Sequence, residues 1–175
     1  ITPRTVAILP VHVYGNFCDT AAIQAIAARH GLKVLYDAAH AFGGACGGKS
    51  AAAFGDAAMY SFHATKVFHT VEGGAIVCHD KALAEALKLE RNFGITGPES
   101  TVSVGGNAKM NEFQAAMGLC NLRHLPGELE RRRAVCAAYR ARLTGVPGIT
   151  LCPEREGDNY AYFPVVFDEI GRAHV

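Results

Sequence analysis

Val6-Ala-Ile-Leu-Pro-Val-His-Val13 and Lys33-Val-Leu-Tyr-Asp37 bracket a stretch of helical periodicity, and that arrangement decides the fold. The first run is apolar and β-branched, closes at Tyr14-Gly15-Asn16, and predicts a buried strand. Asp19 or Thr20 can cap a helix running to about His30, with Ala22, Ile23, Ile26 and Ala27 on its apolar side. Gly31 ends that helix, and residues 33–37 predict the second short buried strand. Two buried strands joined by one helix imply parallel pairing through a right-handed crossover. Ligands of such sheets gather at the carboxyl ends of strands, which is where Asp37 falls.

The α/β pattern continues outward from this unit. Residues 43–48 are glycine-rich, residues 57–61 and 74–78 predict strands, and residues 81–92 predict a helix. Ala82, Leu83, Ala86, Leu87 and Leu89 give that helix its apolar stripe. Residues 95–106 carry Gly, Pro, Ser and Thr and predict a loop. A helix is expected from Asn111 to about Arg123, a break at Pro126, and a second, charged helix to about Leu143. After the turn Thr144-Gly-Val-Pro-Gly148, residues 160–167 predict a lone strand without sheet partners.

The expected fold class is therefore α/β, a three-layer α/β/α large domain with a mostly parallel sheet over residues 1–124. Residues 125–168 are expected to hold a connecting helix and the start of a truncated small C-terminal domain. The last seven residues, Glu169-Ile-Gly-Arg-Ala-His-Val175, resemble the translation of a widely used DNA-sequencing adapter. They are expected to be an artefact and carry no functional argument.

Composition narrows the function classes. Half of the 175 residues are hydrophobic, 19% are charged and the formal net charge is +1, as in soluble globular chains. The one basic run, Arg131-Arg132-Arg133, lies in a helical stretch and reads as a solvated face, so no nucleic-acid partner is expected. Six cysteines occur without a C-x-x-C pair, which supports neither a zinc knuckle nor a redox pair. Without a signal peptide or an apolar run able to span a bilayer, the expected setting is cytoplasmic and reducing, with no membrane partner.

Four elements carry the chemistry: Tyr36-Asp-Ala-Ala-His40, Phe54-Gly-Asp56, Ser61-Phe-His-Ala-Thr-Lys66 and Glu72-Gly-Gly74. Singly each is weak, since a carboxylate at a strand end is often a loop cap and a lysine before a loop is usually solvated. Together they supply what pyridoxal phosphate requires: a lysine for the Schiff base, an acid for the pyridine nitrogen, and hydroxyl donors for the phosphate. Asp37 suits the acid role, because a pyridinium would offset the cost of a carboxylate at a buried strand end. Its bland alternative is a cap for the following turn. Ser61 could bond a phosphate oxygen while Lys66, five residues on, reaches the aldehyde carbon and later serves as the base.

These elements, together with Gly106-Asn-Ala-Lys-Met-Asn-Glu-Phe-Gln-Ala-Ala-Met-Gly-Leu119, resemble the DegT/DnrJ/EryC1/StrS aminotransferases of the aspartate-aminotransferase fold type I. The resemblance runs from about Ile1 to Phe167. It implies a pyridoxal-phosphate enzyme that transfers an amino group from an amino acid, usually glutamate, to a keto-deoxysugar nucleotide such as a dTDP-4-keto-6-deoxysugar. A 3-keto substrate and a non-catalytic regulatory member are the alternatives.

By position, the resemblance makes Asp37 the pyridine-nitrogen acid, His40 the contact of the ring hydroxyl, Ser61 a phosphate ligand and Lys66 the Schiff-base lysine. Asn107 matches an asparagine that reaches the phosphate of the neighbouring subunit, which implies a homodimer with shared sites. His63 is implied to lie near the cofactor. Two departures stand out: Val71 occupies the place of a frequent glycine, and Ala108-Lys109 replace a frequent Tyr-Arg. Lysine there loses the planar fork of arginine. A dehydratase branch has histidine at the position of Lys66, so the lysine points to transamination.

Overall fold

Pro10 shapes the start of the sheet. In the computed structural model, which describes residues 1–169, the first apolar run yields only a two-residue strand, β1 (Ala7–Ile8). Proline has no N–H for the ladder, and the chain touches its neighbour again at Val11, bridged in parallel to Asp37. The expected buried strand is in fact an edge strand, with Val6 76% and Leu9 65% exposed. A short 3-10 turn, Val13–Gly15, follows.

Helix α1 (Thr20–His30) forms as its caps predict. Asp19 accepts the Ala22 N–H at 2.9 Å, and Gly31 closes the helix in the left-handed conformation. The sheet then builds through β2 (Lys33–Asp37), β3 (Ala57–Ser61) and β4 (Gly74–Cys78) in the order β1-β2-β3-β4. The first two pairings are parallel and the third is antiparallel, so the sheet is mostly parallel. Val34, Tyr36, Ala58 and Tyr60 bury one face with Ala27 of α1, while Leu35, Met59 and Ile76 on alternate positions stay more than a third exposed. Phe42, Phe62 and Phe68 extend this core with edge-to-face and stacked contacts 4.6–5.4 Å apart.

Helix α2 (Lys81–Glu90) is capped by Asp80 and packs beside β4. The stretch expected as a plain loop contains a small hairpin, β5 (Ile95–Gly97) and β6 (Ser100–Thr101). Two further expectations need correction. The predicted break at Pro126 does not occur: α3 runs unbroken from Glu112 to Leu143. Proline inside a helix costs about 3 kcal/mol, and packing on either side offsets it. Asn121 donates to the His69 carbonyl at 2.8 Å, Gly118 lies against Thr70 and Leu129 against Gly43, and Leu125 joins the core. The strand near the end is not lone, since β8 (Val165–Phe167) pairs antiparallel with β7 (Ile149–Leu151), just after the turn.

The arginine run lies on α3 as a solvated face, with Arg131 to Glu128 at 2.6 Å and Arg133 to Glu130 at 3.8 Å. Among the described residues no helix is long and apolar enough to cross a membrane. Apart from Glu169, the adapter-like tail lies outside the described residues.

Candidate active site

The carboxyl end of β2 gathers three of the chemistry-bearing residues. Asp37 is half-buried, and its Oδ1 accepts the Ala39 N–H at 3.0 Å. Its backbone is held on both sides, since its N–H donates to the Pro10 carbonyl and its own carbonyl accepts the His12 N–H, each at 2.9 Å. His40 lies three residues on, its Nδ1 accepting the Tyr14 N–H and its Nε2 facing the Tyr162 hydroxyl, both at 3.3 Å. Burial and the Lys66 charge push the His40 imidazole below its ordinary range, against a smaller opposing pull from Asp37. Lys66 and Asp37 are thus both close enough for their charges to reach His40.

Ser61 ends β3, and the segment that follows is pinned where it leaves the sheet. The Phe62 N–H donates to the Gly73 carbonyl at 2.8 Å, and the Thr70 N–H to the Phe62 carbonyl at 2.9 Å. Within the segment the Lys66 N–H closes a turn on the His63 carbonyl at 2.9 Å. The Glu72-Gly-Gly74 element explains itself here. A Cβ on Gly74 would stand 2.8 Å from the Tyr60 carbonyl, and one on Gly73 would collide with the Thr70 hydroxyl.

Lys66, Ser61 and Ala39 line an open cleft of about 1050 Å³, which Lys88 and Arg91 at the end of α2 also line. Lys66 and Ala39 also line a smaller pocket beside His40 and Tyr162. The structure therefore brings Lys66, Ser61, Asp37 and His40 to one end of the sheet.

Other expected residues fall elsewhere. Asn107 is exposed, its Oδ1 accepting from Lys109 at 2.6 Å, and only its neighbours Gly106 and Ala108 line the cleft. Lys109 also sits 4.2 Å over the Phe93 ring, which uses the charge that replaces arginine. His63 is exposed, 3.6 Å from Glu72, and is not among the lining residues of the cleft. Asp56 of the Phe54-Gly-Asp56 element serves the sheet, accepting the Val34 N–H at 2.9 Å and Lys33 Nζ at 2.8 Å. These donors, Lys33 first, hold its carboxyl below the usual range.

Sequence reasoning missed His12, Tyr14, Asn159 and Tyr162. His12 is fully buried between Phe17 and Tyr36, each ring 4.7 Å away, and its Nε2 has no partner among the described residues. It read as one more member of an apolar run.

The donor set fits pyridoxal phosphate: a lysine and a serine lining one cleft, and a carboxylate at the adjoining strand end. The cleft is of the size of ordinary cofactor sites. Comparison with known proteins agrees. A dTDP-4-amino-4,6-dideoxy-D-glucose transaminase of Shigella dysenteriae is 45% identical over 170 residues, covering 96% of this chain and 46% of that protein. A dTDP-3-amino-3,4,6-trideoxy-alpha-D-glucose transaminase of Streptomyces venezuelae is 41% identical over 86% of this chain and 40% of its own length. Among solved structures, DesI in the presence of its TDP-sugar product superposes with a TM-score of 0.87 at 42% identity, covering 94% of this chain and 43% of DesI. The chain spans about half the length of the curated relatives it matches. The family pattern itself matches residues 1–174, and the chain belongs to the DegT/DnrJ/EryC1/StrS aminotransferase family.

Proposed function

We propose that this chain is part of a pyridoxal-phosphate-dependent aminotransferase that moves an amino group from glutamate to a dTDP-linked 4-keto-6-deoxysugar. The observation that carries the reading is that Lys66 and Ser61 both line the cleft, with Asp37 at the end of the strand next to the one that Ser61 closes. The relatives named for dTDP-sugar amination support the substrate class. In balance, the sugar ketone oxygen is exchanged for an amine and a hydrogen, and the amino acid leaves as its keto acid. When bound, pyridoxal phosphate supplies the electron sink that makes the donor's α-proton removable.

The chain's own residues do the rest. Lys66 would hold the cofactor covalently and, as a free amine, would take up and return the donor's α-proton. Ser61 would donate its hydroxyl to the phosphate, Asp37 would keep the ring nitrogen protonated, and His40 would serve the ring hydroxyl. Asn107 serves the phosphate of a facing subunit, so the assembly is a homodimer with shared sites. The division into a large domain to residue 124 and a small domain beyond it falls inside α3, which would join the two as one rigid rod.

Full-length protein incubated with ¹⁵N-glutamate and a dTDP-4-keto-6-deoxysugar is expected to yield ¹⁵N-labelled aminosugar and 2-oxoglutarate by mass spectrometry. Lys66→Ala is expected to slow transfer by roughly 10²-fold or more and to lose the cofactor that borohydride reduction fixes to the wild-type peptide. Transfer to a 3-keto nucleotide alone would favour the reaction named for the Streptomyces relative. A wild-type protein that labels neither sugar would overturn the function.

A further inference from the structure

One segment far along the chain grips the loop that presents His40. Asn159, almost fully buried, donates its amide to the His40 carbonyl at 2.7 Å and to the Phe42 carbonyl at 2.9 Å. Two residues earlier, the Gly157 carbonyl accepts the Ala45 N–H at 2.8 Å. Three residues later, the Tyr162 hydroxyl stands 3.3 Å from His40 Nε2, with the two rings 4.8 Å apart. The approach is close enough that a Cβ on Gly15 would lie 2.7 Å from Asn159 Oδ1 and 2.8 Å from the His40 carbonyl.

The hydrogen bonds also determine the proton on His40. Tyr14 has a positive φ of 58°, and its N–H points at Nδ1. A backbone N–H can only donate, so Nδ1 must carry a lone pair and the proton must sit on Nε2. Nε2–H then donates to the Tyr162 hydroxyl oxygen. A second proton, on Nδ1, would set N–H against N–H, which disfavours imidazolium; burial and the neighbouring Lys66 charge act in the same direction.

We propose that Tyr162 is a positioning residue for His40. Its hydroxyl receives Nε2–H while Tyr14 holds Nδ1, so the imidazole is kept neutral, in one tautomer and one orientation, beside the pocket that Lys66 lines. The ring thereby offers a bound group no free nitrogen lone pair, and a group that takes the Nε2 proton must replace the Tyr162 hydroxyl as its acceptor. That last consequence rests on the cofactor reading of the site; the clamp itself does not.

The test separates the two. In full-length protein labelled with ¹⁵N-histidine and free of cofactor, NMR is expected to show His40 with an unprotonated Nδ1 and an Nε2 proton protected from exchange. Tyr162→Phe keeps the ring but removes the acceptor, and its Nε2 proton is expected to exchange roughly tenfold faster. In the loaded enzyme the same variant is expected to lower kcat about threefold to tenfold with the KM for glutamate unchanged. Tyr162→Leu, which also removes the ring, serves as the packing control. A Tyr162→Phe protein with wild-type proton exchange and wild-type kcat, where only Tyr162→Leu is impaired, would reduce Tyr162 to packing and overturn the proposal. A wild-type protein that shows the protected proton but takes up no pyridoxal phosphate would overturn the cofactor reading and leave the clamp standing.

Discussion

His12 illustrates what a single residue contributes here beyond a motif. It is wedged between Phe17 and Tyr36, its Nδ1 accepts the Cys18 N–H at 3.2 Å, and it lies against the Asp37 backbone. Burial lowers its pKa from the ordinary 6.5, and the Asp37 charge only partly opposes this. The sign of the linkage follows. As pH falls through 6.5 the unfolded chain takes up a proton that the folded chain refuses, so stability present above that pH is progressively lost below it. The urea midpoint is expected to drop between about pH 7.5 and about pH 5.5. In His12→Phe, which keeps the stacking, that drop should shrink, because His40, shifted the same way, then titrates without it. An equal drop in both proteins would mean that His12 does not titrate with folding. Asp37, Ser61 and Lys66 were legible in the sequence because each sits in a short string with its neighbours. His12 and Tyr162 were not: the first is hidden in an apolar run, and the second meets His40 across 122 positions.

At the scale of elements, strands β2, β3 and β4 were legible to the residue and helix α1 to within its cap, because caps and apolar runs coincide there. Where proline stood, the reading erred in both directions: the local rule held at Pro10, where it was not applied, and failed at Pro126, where it was. Pro10 cut an apparent strand to two residues, whereas Pro126 failed to cut a helix held by packing on both sides. The β3–β4 connection offers a sharper case. Val71, in place of a frequent family glycine, adopts a φ of 69° and is half exposed. A β-branched residue in the left-handed region is strained by about 1–3 kcal/mol. Val71→Gly would relieve that strain and lose little packing, while the flexible residue costs some unfolded-state entropy. A net gain of about 1 kcal/mol is expected in chemical denaturation. A loss of stability would show that the Val71 side chain is held by contacts stronger than the strain.

The whole molecule raises the question of what covers the large apolar side chains exposed around the start of α3. Phe113 is 88% exposed at the start of α3 and Leu119 61% exposed further along it, and Val104 in the preceding loop is 95% exposed. Large apolar side chains left this exposed are what a covering surface would bury, and Asn107 lies in the same stretch of chain as Val104 and Phe113. If a second subunit covers this stretch, the Asn107 amide would reach the partner's cleft, and each site would draw Lys66 from one chain and Asn107 from the other. This predicts an outcome that no single-chain site can give. Full-length Lys66→Ala and Asn107→Ala proteins are each expected to be inactive as pure dimers. In a mixed dimer one site carries both defects and the other carries neither, because the two residues come from different chains. Subunit exchange between the inactive proteins should therefore restore up to about half of wild-type activity per mixed dimer. Size-exclusion chromatography of differently tagged subunits establishes that mixed dimers form. If they form and remain as inactive as their parents, Asn107 acts within its own chain and the shared-site arrangement is wrong.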